Sequence, residues 1–298
     1  MHIGFIGLGK MGYNLVVNLL RHKHTVVGYD INEELVNGIK AEGAEGVTTL
    51  EALYESLPEP RVLWLMIPAG PLVDTVINQL LAFLHPGDTL IDGGNSHYQD
   101  SVRRHQFLKE RGIGYVDCGT SGGMSGALNG ACTMYGGDPE VVEPLHQVFK
   151  DISVENGSLY TGPAGSGHFT KMVHNGIEYG MMQSIAEGFE VLEKSQFPFD
   201  YEAVARLWNN GSVIRSWLME LTENAFRKDA KLDEIKGRMH SSGEGKWTLE
   251  TALDLGVPTP VIALSLLMRY RSLQDDTFTG KVVAALRNEF GGHAVEKK

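Results

Sequence analysis

Lys171, His174, Asn175, Glu178 and Tyr179 recur at i, i+3, i+4, i+7 and i+8 along one stretch of the chain. At about 100° per residue these five polar side chains fall on one face of a helix. Lysine and glutamate together make an acid–base pair. A desolvated lysine beside another cation can have a pKa low enough to act as a base, whereas a bound carboxylate or Glu178 itself pushes the other way, so the resting protonation state stays open. Continued at the same spacing, the face carries Met182, Ile185, Ala186 and Phe189, all apolar. A face that becomes apolar turns inward, and polar groups on an inward face need partners. A bound polar ligand is a natural one.

A second constellation lies at the start of the chain. Gly7, Leu8, Gly9, Lys10, Met11 and Gly12 spell GxGxxG directly after an apolar run and at the opening of a helical pattern. The first glycine permits a tight turn, the second lets the backbone approach a pyrophosphate, and the third lets helix pack on strand. The helix N-terminus then faces the negative charge. Asp30 ends the next apolar run, 18 residues after Gly12, where a carboxylate accepts from ribose hydroxyls. That carboxylate repels a 2′-phosphate, and Ile31 and Asn32 supply no arginine to bind one. The expectation is therefore NAD rather than NADP. Ile67 and Pro68, where a later apolar run stops, and Asn95, in the loop Ile91-Asp-Gly-Gly-Asn95-Ser96, join the expected cofactor site.

Asn95 can also orient a substrate hydroxyl. Thr120-Ser121-Gly122-Gly123 follows another strand end, where consecutive backbone N–H groups can cradle an anion. Further cations follow at Lys246 in Gly245-Lys-Trp-Thr248, at Arg269 and Arg271, and in the tail that runs from Arg287 through Phe290 to His293.

The elements that must hold these residues alternate. Strand patterns at 2–6, 25–29, 62–67, 89–92, 114–117 and 131–136 are interleaved with helical patterns at 13–21, 32–41, 71–84, 98–111 and 139–149. Such βαβ repetition implies a mostly parallel, doubly wound α/β sheet of Rossmann type. Near residue 160 the pattern changes to a long helix over 166–194 and then to helices and loops, including 249–255 and 261–273. The expected domains are thus 1–160, dinucleotide-binding, and 161–298, all-α, holding the substrate, the dimer contact and the tail. The net charge of −11, from 26 Lys and Arg against 37 Asp and Glu, argues against a nucleic-acid or anionic-membrane binder. No apolar run is long enough for a membrane span, and the apolar N-terminus belongs to the glycine motif rather than to a signal peptide. Two cysteines, Cys118 and Cys132, without CxxC or zinc spacing, point to no metal and to a reducing cytoplasm.

Taken together, GFIGLGKMG, IDGGNS, SGGMSGA, GSGHFTKMVHNGIEYGMMQ, GKWT and RNEFGGH resemble the decarboxylating 6-phosphogluconate dehydrogenase family along nearly the whole chain. With 11 residues between Asp275 and Arg287, the chain resembles the family's short type. The resemblance implies oxidation and decarboxylation of 6-phosphogluconate to ribulose 5-phosphate and CO2. It implies that Lys171 is the base and Glu178 the acid, and that Asn95, Ser121, Gly122, Gly123, His174 and Asn175 hold the sugar acid. Tyr179 and Arg269 would bind its phosphate end. Arg287 and His293 would reach the neighbouring subunit's site, making a homodimer or homotetramer with shared sites. Three positions depart from the family pattern: Ser242 stands where it has a phosphate-binding lysine, Glu244 where it has a threonine, and Ile31 where NADP-using members have an arginine. The alternatives are a 3-hydroxyisobutyrate-type β-hydroxyacid dehydrogenase and a silent NAD-binding sensor; the cations Arg269, Arg287 and His293 favour a phosphorylated substrate, and intact Lys171 and Glu178 argue against the sensor.

Overall fold

Strands covered on both faces read as unbroken apolar runs, and the runs of the first half become one sheet. The computed structural model describes residues 1–297. In chain order its elements are β1 (His2–Ile6), α1 (Lys10–Arg21), β2 (Thr25–Tyr29), α2 (Glu33–Ala41), β3 (Glu45–Val47), α3 (Leu50–Glu55), β4 (Val62–Leu65) and α4 (Pro71–Leu80). Then come β5 (Thr89–Asp92), α5 (Tyr98–Lys109), β6 (Gly114–Ser121), α6 (Gly123–Asn129), β7 (Ala131–Gly137), α7 (Pro139–Val142), α8 (His146–Asp151) and β8 (Ser153–Gly162). The helices α9 (Ser166–Lys194), α10 (Tyr201–Asn209), α11 (Trp217–Lys228), α12 (Gly243–Asp254), α13 (Pro260–Ser272) and α14 (Phe278–Gly291) complete the chain. It divides into two compact units, Met1–His174 and the residues from Asn175 on. The sequence pattern puts the change near residue 160; β8 ends at Gly162, α9 starts at Ser166, and the division into units falls inside α9.

In the first unit the strand order is β3-β2-β1-β4-β5-β6-β7-β8. β6 and β7 pair antiparallel and the other neighbours parallel. Successive residues of one strand serve different cores. Ile3, Phe5, Val26, Trp64, Ile91 and Val116 belong to one buried cluster. Their neighbours Ile6, Val27, Leu63, Leu65, Leu90 and Tyr115 belong to the other. This two-sided burial is what makes the strands legible as continuous apolar runs. β8 differs: its residues are exposed or half-buried and it pairs with β7 through register shifts, so the sequence carries no apolar run to announce it. α6 likewise replaces an expected loop; Gly122 (φ 118°) and Gly123 (φ 57°) turn the chain into it.

The second unit contains helices and no strands among the described residues. Asp200, Ser216 and Thr277 cap α10, α11 and α14 by accepting from Ala203, Met219 and Gly280 N–H groups, which satisfies donors that a helix leaves unpaired. Phe189, Tyr201, Ala205, Met219 and Phe226 form its buried cluster. α14 buries none of its residues.

Candidate active site

The strand order reverses on either side of β1, between β2 and β4, and ligands of doubly wound sheets bind outside the carboxyl ends of the strands at that point. The glycine turn sits there. A Cβ on Gly7 (φ 97°) would lie 2.4 Å from the Met66 carbonyl oxygen, and one on Gly12 would lie 2.0 Å from the Gly7 carbonyl oxygen. Neither position accepts a side chain. A Cβ on Gly9 would meet nothing within 4 Å, so this exposed glycine leaves open space at the N-cap of α1. α1 has no acidic residue in its first turn and no side-chain cap, and its N-terminal N–H groups suit an anion. These residues fit a dinucleotide pyrophosphate. Lys10 is exposed and Met11 half-buried beside it, whereas the Leu8 side chain is fully buried.

Asp30 has a job inside the fold. One carboxylate oxygen accepts from the Leu8 N–H (2.6 Å) and the other from the Asn32 N–H (2.8 Å). The carboxylate thus ties the glycine turn to the end of β2.

The loops after β4 and β5 stand beside the turn. Ile67 is half-buried and Pro68 exposed. Asn95 has φ 52°, and its Oδ1 accepts from the Thr120 N–H (3.1 Å). The loop that carries Asn95 is thereby pinned to the end of β6, next to Ser121.

Close packing places Lys171. α9 lies on β6 and β7 almost backbone to backbone: a Cβ on Gly167 would lie 2.6 Å from the Met134 oxygen and 2.7 Å from the Asp117 oxygen. A Cβ on Gly119 would lie 2.3 Å from Lys171 Cβ. The helix start is also held by buried Asp117, which accepts from the Gly165 (2.6 Å) and His168 (2.7 Å) N–H groups. Burial raises the Asp117 pKa, with those two hydrogen bonds opposing. Lys171 itself is 6% exposed. His174, one turn on, lies with Nε2 3.2 Å from Ser121 Oγ and Nδ1 3.5 Å from Lys171 Nζ. When lysine is the cation, Nδ1 accepts and Nε2–H donates to Ser121; the line from lysine to serine then has one consistent polarity.

In the second unit Asn175, Glu178 and Tyr179 continue along α9. Tyr179 is buried, its hydroxyl accepts from the Ser242 N–H (3.1 Å), and the guanidinium of Arg269 lies 3.6 Å from its ring centroid. Gly245 is required there, because a Cβ would lie 2.4 Å from the ring. Arg269 also donates to the His240 carbonyl (2.8 Å). Tyr179, Arg269 and Ser242 are thus brought together. Arg287 and His293 lie on and just beyond α14 with exposed side chains. Sequence reasoning missed Gly119 and Gly167. Glycine one turn before a buried lysine, as in Gly167-His-Phe-Thr-Lys171, is the signal of close helix–sheet approach that could have found them. Among the described residues no group of three or more His, Cys, Asp or Glu side chains could hold a metal ion, and no helix is long and apolar enough to cross a membrane.

A Rossmann-type glycine turn at a sheet switch point, followed by a helix bearing a buried lysine and then an all-helical unit, defines a nicotinamide-dinucleotide-dependent dehydrogenase. Residues 2–162 match the NAD binding domain of 6-phosphogluconate dehydrogenase, and residues 167–289 match the 6-phosphogluconate dehydrogenase C-terminal domain. The chain is 65% identical, over the full length of both, to a Bacillus subtilis protein carrying the name "Putative 6-phosphogluconate dehydrogenase YqeC". It is 41% identical to the NAD(+)-dependent, decarboxylating 6-phosphogluconate dehydrogenase of Haloferax volcanii, covering all of this chain and 99% of that one. The solved Plasmodium falciparum 6-phosphogluconate dehydrogenase superposes with a TM-score of 0.84 at 32% identity, covering all of this chain and 66% of that one. The chain belongs to the 6-phosphogluconate dehydrogenase family. Its cofactor class is NAD(P).

The expectation of NAD rather than NADP is corrected by the Plasmodium structure, which was determined with its cofactor NADP+. The physical reason lies in Asp30. Both its oxygens accept from backbone N–H groups, so an acidic residue at this position already serves the glycine turn, and its place after β2 does not by itself assign it to cofactor choice.

Proposed function

We propose that this protein oxidises and decarboxylates 6-phosphogluconate to ribulose 5-phosphate and CO2 with reduction of a nicotinamide dinucleotide. The observation that carries the reading is the line Lys171–His174–Ser121, held on β6 by a helix that approaches to backbone contact. It puts a buried amine, able to act as a base, beside the polar turn at 121–123. The glycine turn, Ile67, Pro68 and Asn95 hold the dinucleotide, which when bound supplies the acceptor for the hydride leaving C3.

Lys171 Nζ, as the neutral amine, takes the C3 hydroxyl proton. It returns that proton to the new 3-keto oxygen as the C1–C2 bond breaks and CO2 departs. Glu178 then protonates the carbon that becomes C1 of ribulose 5-phosphate, while Lys171 withdraws the enediol hydroxyl proton as the product carbonyl forms. Ser121, Gly122, Gly123, His174, Asn175 and Asn95 orient the sugar acid. Tyr179 and Arg269 take the phosphate, with the guanidinium stacked on the phenol ring.

A second copy of the chain completes the site with Arg287 and His293. Support comes from α14, whose Phe278, Val282, Leu286 and Phe290 repeat at i, i+4, i+8 and i+12 and stand exposed; such an apolar stripe wants a partner. The two cysteines, both free thiols, suit a reducing cytoplasm. The deciding assay compares NAD(P)H and CO2 formation from 6-phosphogluconate with NAD(P)H formation from 3-hydroxyisobutyrate. Turnover of the first with CO2 release is expected; turnover of the second alone overturns the reading.

A further inference from the structure

The loops at the switch point are built around Arg104. It lies on α5 and is 1% exposed. Its Nε and Nη2 reach the two oxygens of Asp74, each at 3.0 Å, in the first turn of α4. Nη2 also donates to the carbonyl of Gly70 (3.0 Å), the N-cap of α4. Nη1 donates to Asp92 Oδ2 (3.2 Å) and to Ser96 Oγ (3.1 Å). Asp92, fully buried at the end of β5, accepts in addition from Ser96 Oγ, Tyr115 OH and the Gly94 N–H. One planar fork of donors therefore spans the loop after β4 and the loop after β5.

Those two loops fit against each other with no room to spare. The Gly93 N–H donates to the Leu65 carbonyl (2.8 Å), and a Cβ on Gly94 would lie 2.4 Å from the Ile67 carbonyl oxygen. The glycine turn abuts the same segment, since a Cβ on Gly7 would lie 2.4 Å from the Met66 carbonyl oxygen. Asn95 sits between Gly94 and Ser96, in a backbone conformation (φ 52°) that a non-glycine residue rarely adopts. Apolar side chains of similar volume often serve stability as well as a buried ion network. What they lack is direction, and lysine, a point charge on a flexible stem, lacks the fork.

We propose that Arg104 is a positioning residue that sets the dinucleotide-facing segment Ile67–Gly70 and the Asn95 loop as one unit. It touches neither ligand and acts through Asp74, Gly70, Asp92 and Ser96. The dinucleotide part rests on the fold and the family; the sugar-acid part rests on the function proposed above.

The test is Arg104→Lys. NADH and NADPH are titrated by fluorescence onto enzyme free of sugar acid, and kcat and KM are measured with 6-phosphogluconate. The expected result is a cooperative melt with the dissociation constant of the dinucleotide raised at least about tenfold and kcat lowered by a similar factor, the scale for displacing a binding segment by a fraction of an ångström. Ile77→Val and Leu80→Ala, buried on α4 away from these loops, bracket the loss of Tm. A dinucleotide dissociation constant within twofold of wild type, or a shift no larger than in a control of equal Tm loss, overturns the proposal. If Arg104→Lys does not fold, Asp74→Ala removes both carboxylate contacts of the α4 arm and keeps the Arg104–Asp92 arm; a rise of about threefold or more supports the proposal and an unchanged value overturns it. Should the wild type fail to turn over 6-phosphogluconate, the function proposed above falls, and the dinucleotide titrations still decide the role of Arg104.

Discussion

Gly119→Ala adds a single methyl group on the strand that faces α9. Gly119 pairs with Met134 in the ladder and has no unusual backbone angle, so alanine is permitted by its φ and excluded only by its surroundings. The new Cβ would stand 2.3 Å from Lys171 Cβ, 2.8 Å from its Cγ and 3.2 Å from the Gly167 oxygen. A Cβ is fixed to the helix backbone and cannot rotate aside. Restoring ordinary contact, which begins near 3.4 Å, moves α9 or β6 by about 1 Å. Overpacking of this kind costs about 1–3 kcal/mol, a Tm loss of roughly 2–10 °C in a chain of this size. In the proposed reaction the same displacement carries the Lys171 amine away from the C3 hydroxyl proton, and a misplacement of about 1 Å costs on the order of a hundredfold in rate. The assay is kcat from nicotinamide absorbance on protein shown to be folded, with Tm from calorimetry. Gly188→Ala, also on α9, is the control: a Cβ there meets nothing within 4 Å, so stability rises by up to about 1 kcal/mol and kcat stays put. A Gly119→Ala enzyme that keeps wild-type kcat would refute the link between this packing and the chemistry, whether or not Tm falls.

Lys171→Met lowers kcat at least about a hundredfold, the low end for general acid–base catalysis, and leaves dinucleotide binding intact by fluorescence titration; Glu178→Gln impairs turnover together with proton exchange at C1 of ribulose 5-phosphate. Near-normal kcat in either variant removes that residue from its role. Asp74 gives a pH signature: hydrogen bonds from Arg104 first, and then from Arg103, hold its carboxyl at about 2 against an ordinary 3.8. A depressed carboxylate contributes stability that is complete above its unfolded pKa and lost as pH falls through the folded value. The wild type should therefore lose about 1 kcal/mol more than Asp74→Asn between about pH 4 and pH 2, allowing for a side chain partly screened by solvent; parallel denaturation profiles would count against it. Arg287→Ala raises KM for 6-phosphogluconate with little change in dinucleotide binding. Mixing inactive Lys171→Met with Arg287→Ala subunits restores some activity, and absence of rescue despite proven subunit exchange rules out a shared site.

Much of this molecule is readable from its residues, and the misses have physical causes. β1, β2, β5 and the whole of α9 coincide with the sequence pattern, because residues buried on both faces and a 29-residue helix leave strong periodic signals. α1 begins three residues before its pattern does, at Lys10, since Gly12 lies inside the first turn and weakens the helical signal. β8 and α6 escape because one is a poorly buried edge strand and the other a glycine-opened turn of helix. At the site, Lys171 and His174 declare themselves by spacing, but the glycines that place them act through the absence of a side chain. Arg104 reads as one of two adjacent cations on a polar helix until the tertiary fold buries it. Asp30 misleads for the reverse reason: its position after β2 is real, yet a sequence does not tell that the carboxylate also ties its own backbone.

The alternation of each strand between two cores has a consequence for how such an enzyme can change. Ile3 and Phe5 serve one core while Ile6 serves the other, and Leu63, Trp64 and Leu65 do the same in β4. No residue in these segments is idle, so none is available for trial and error at low cost to folding. Novelty is confined to the stretches where strands end, and there it is rationed by backbone crowding at Gly7 and Gly94. A new substrate preference in this scaffold has to be written in the few positions that border open space, such as the one above Gly9.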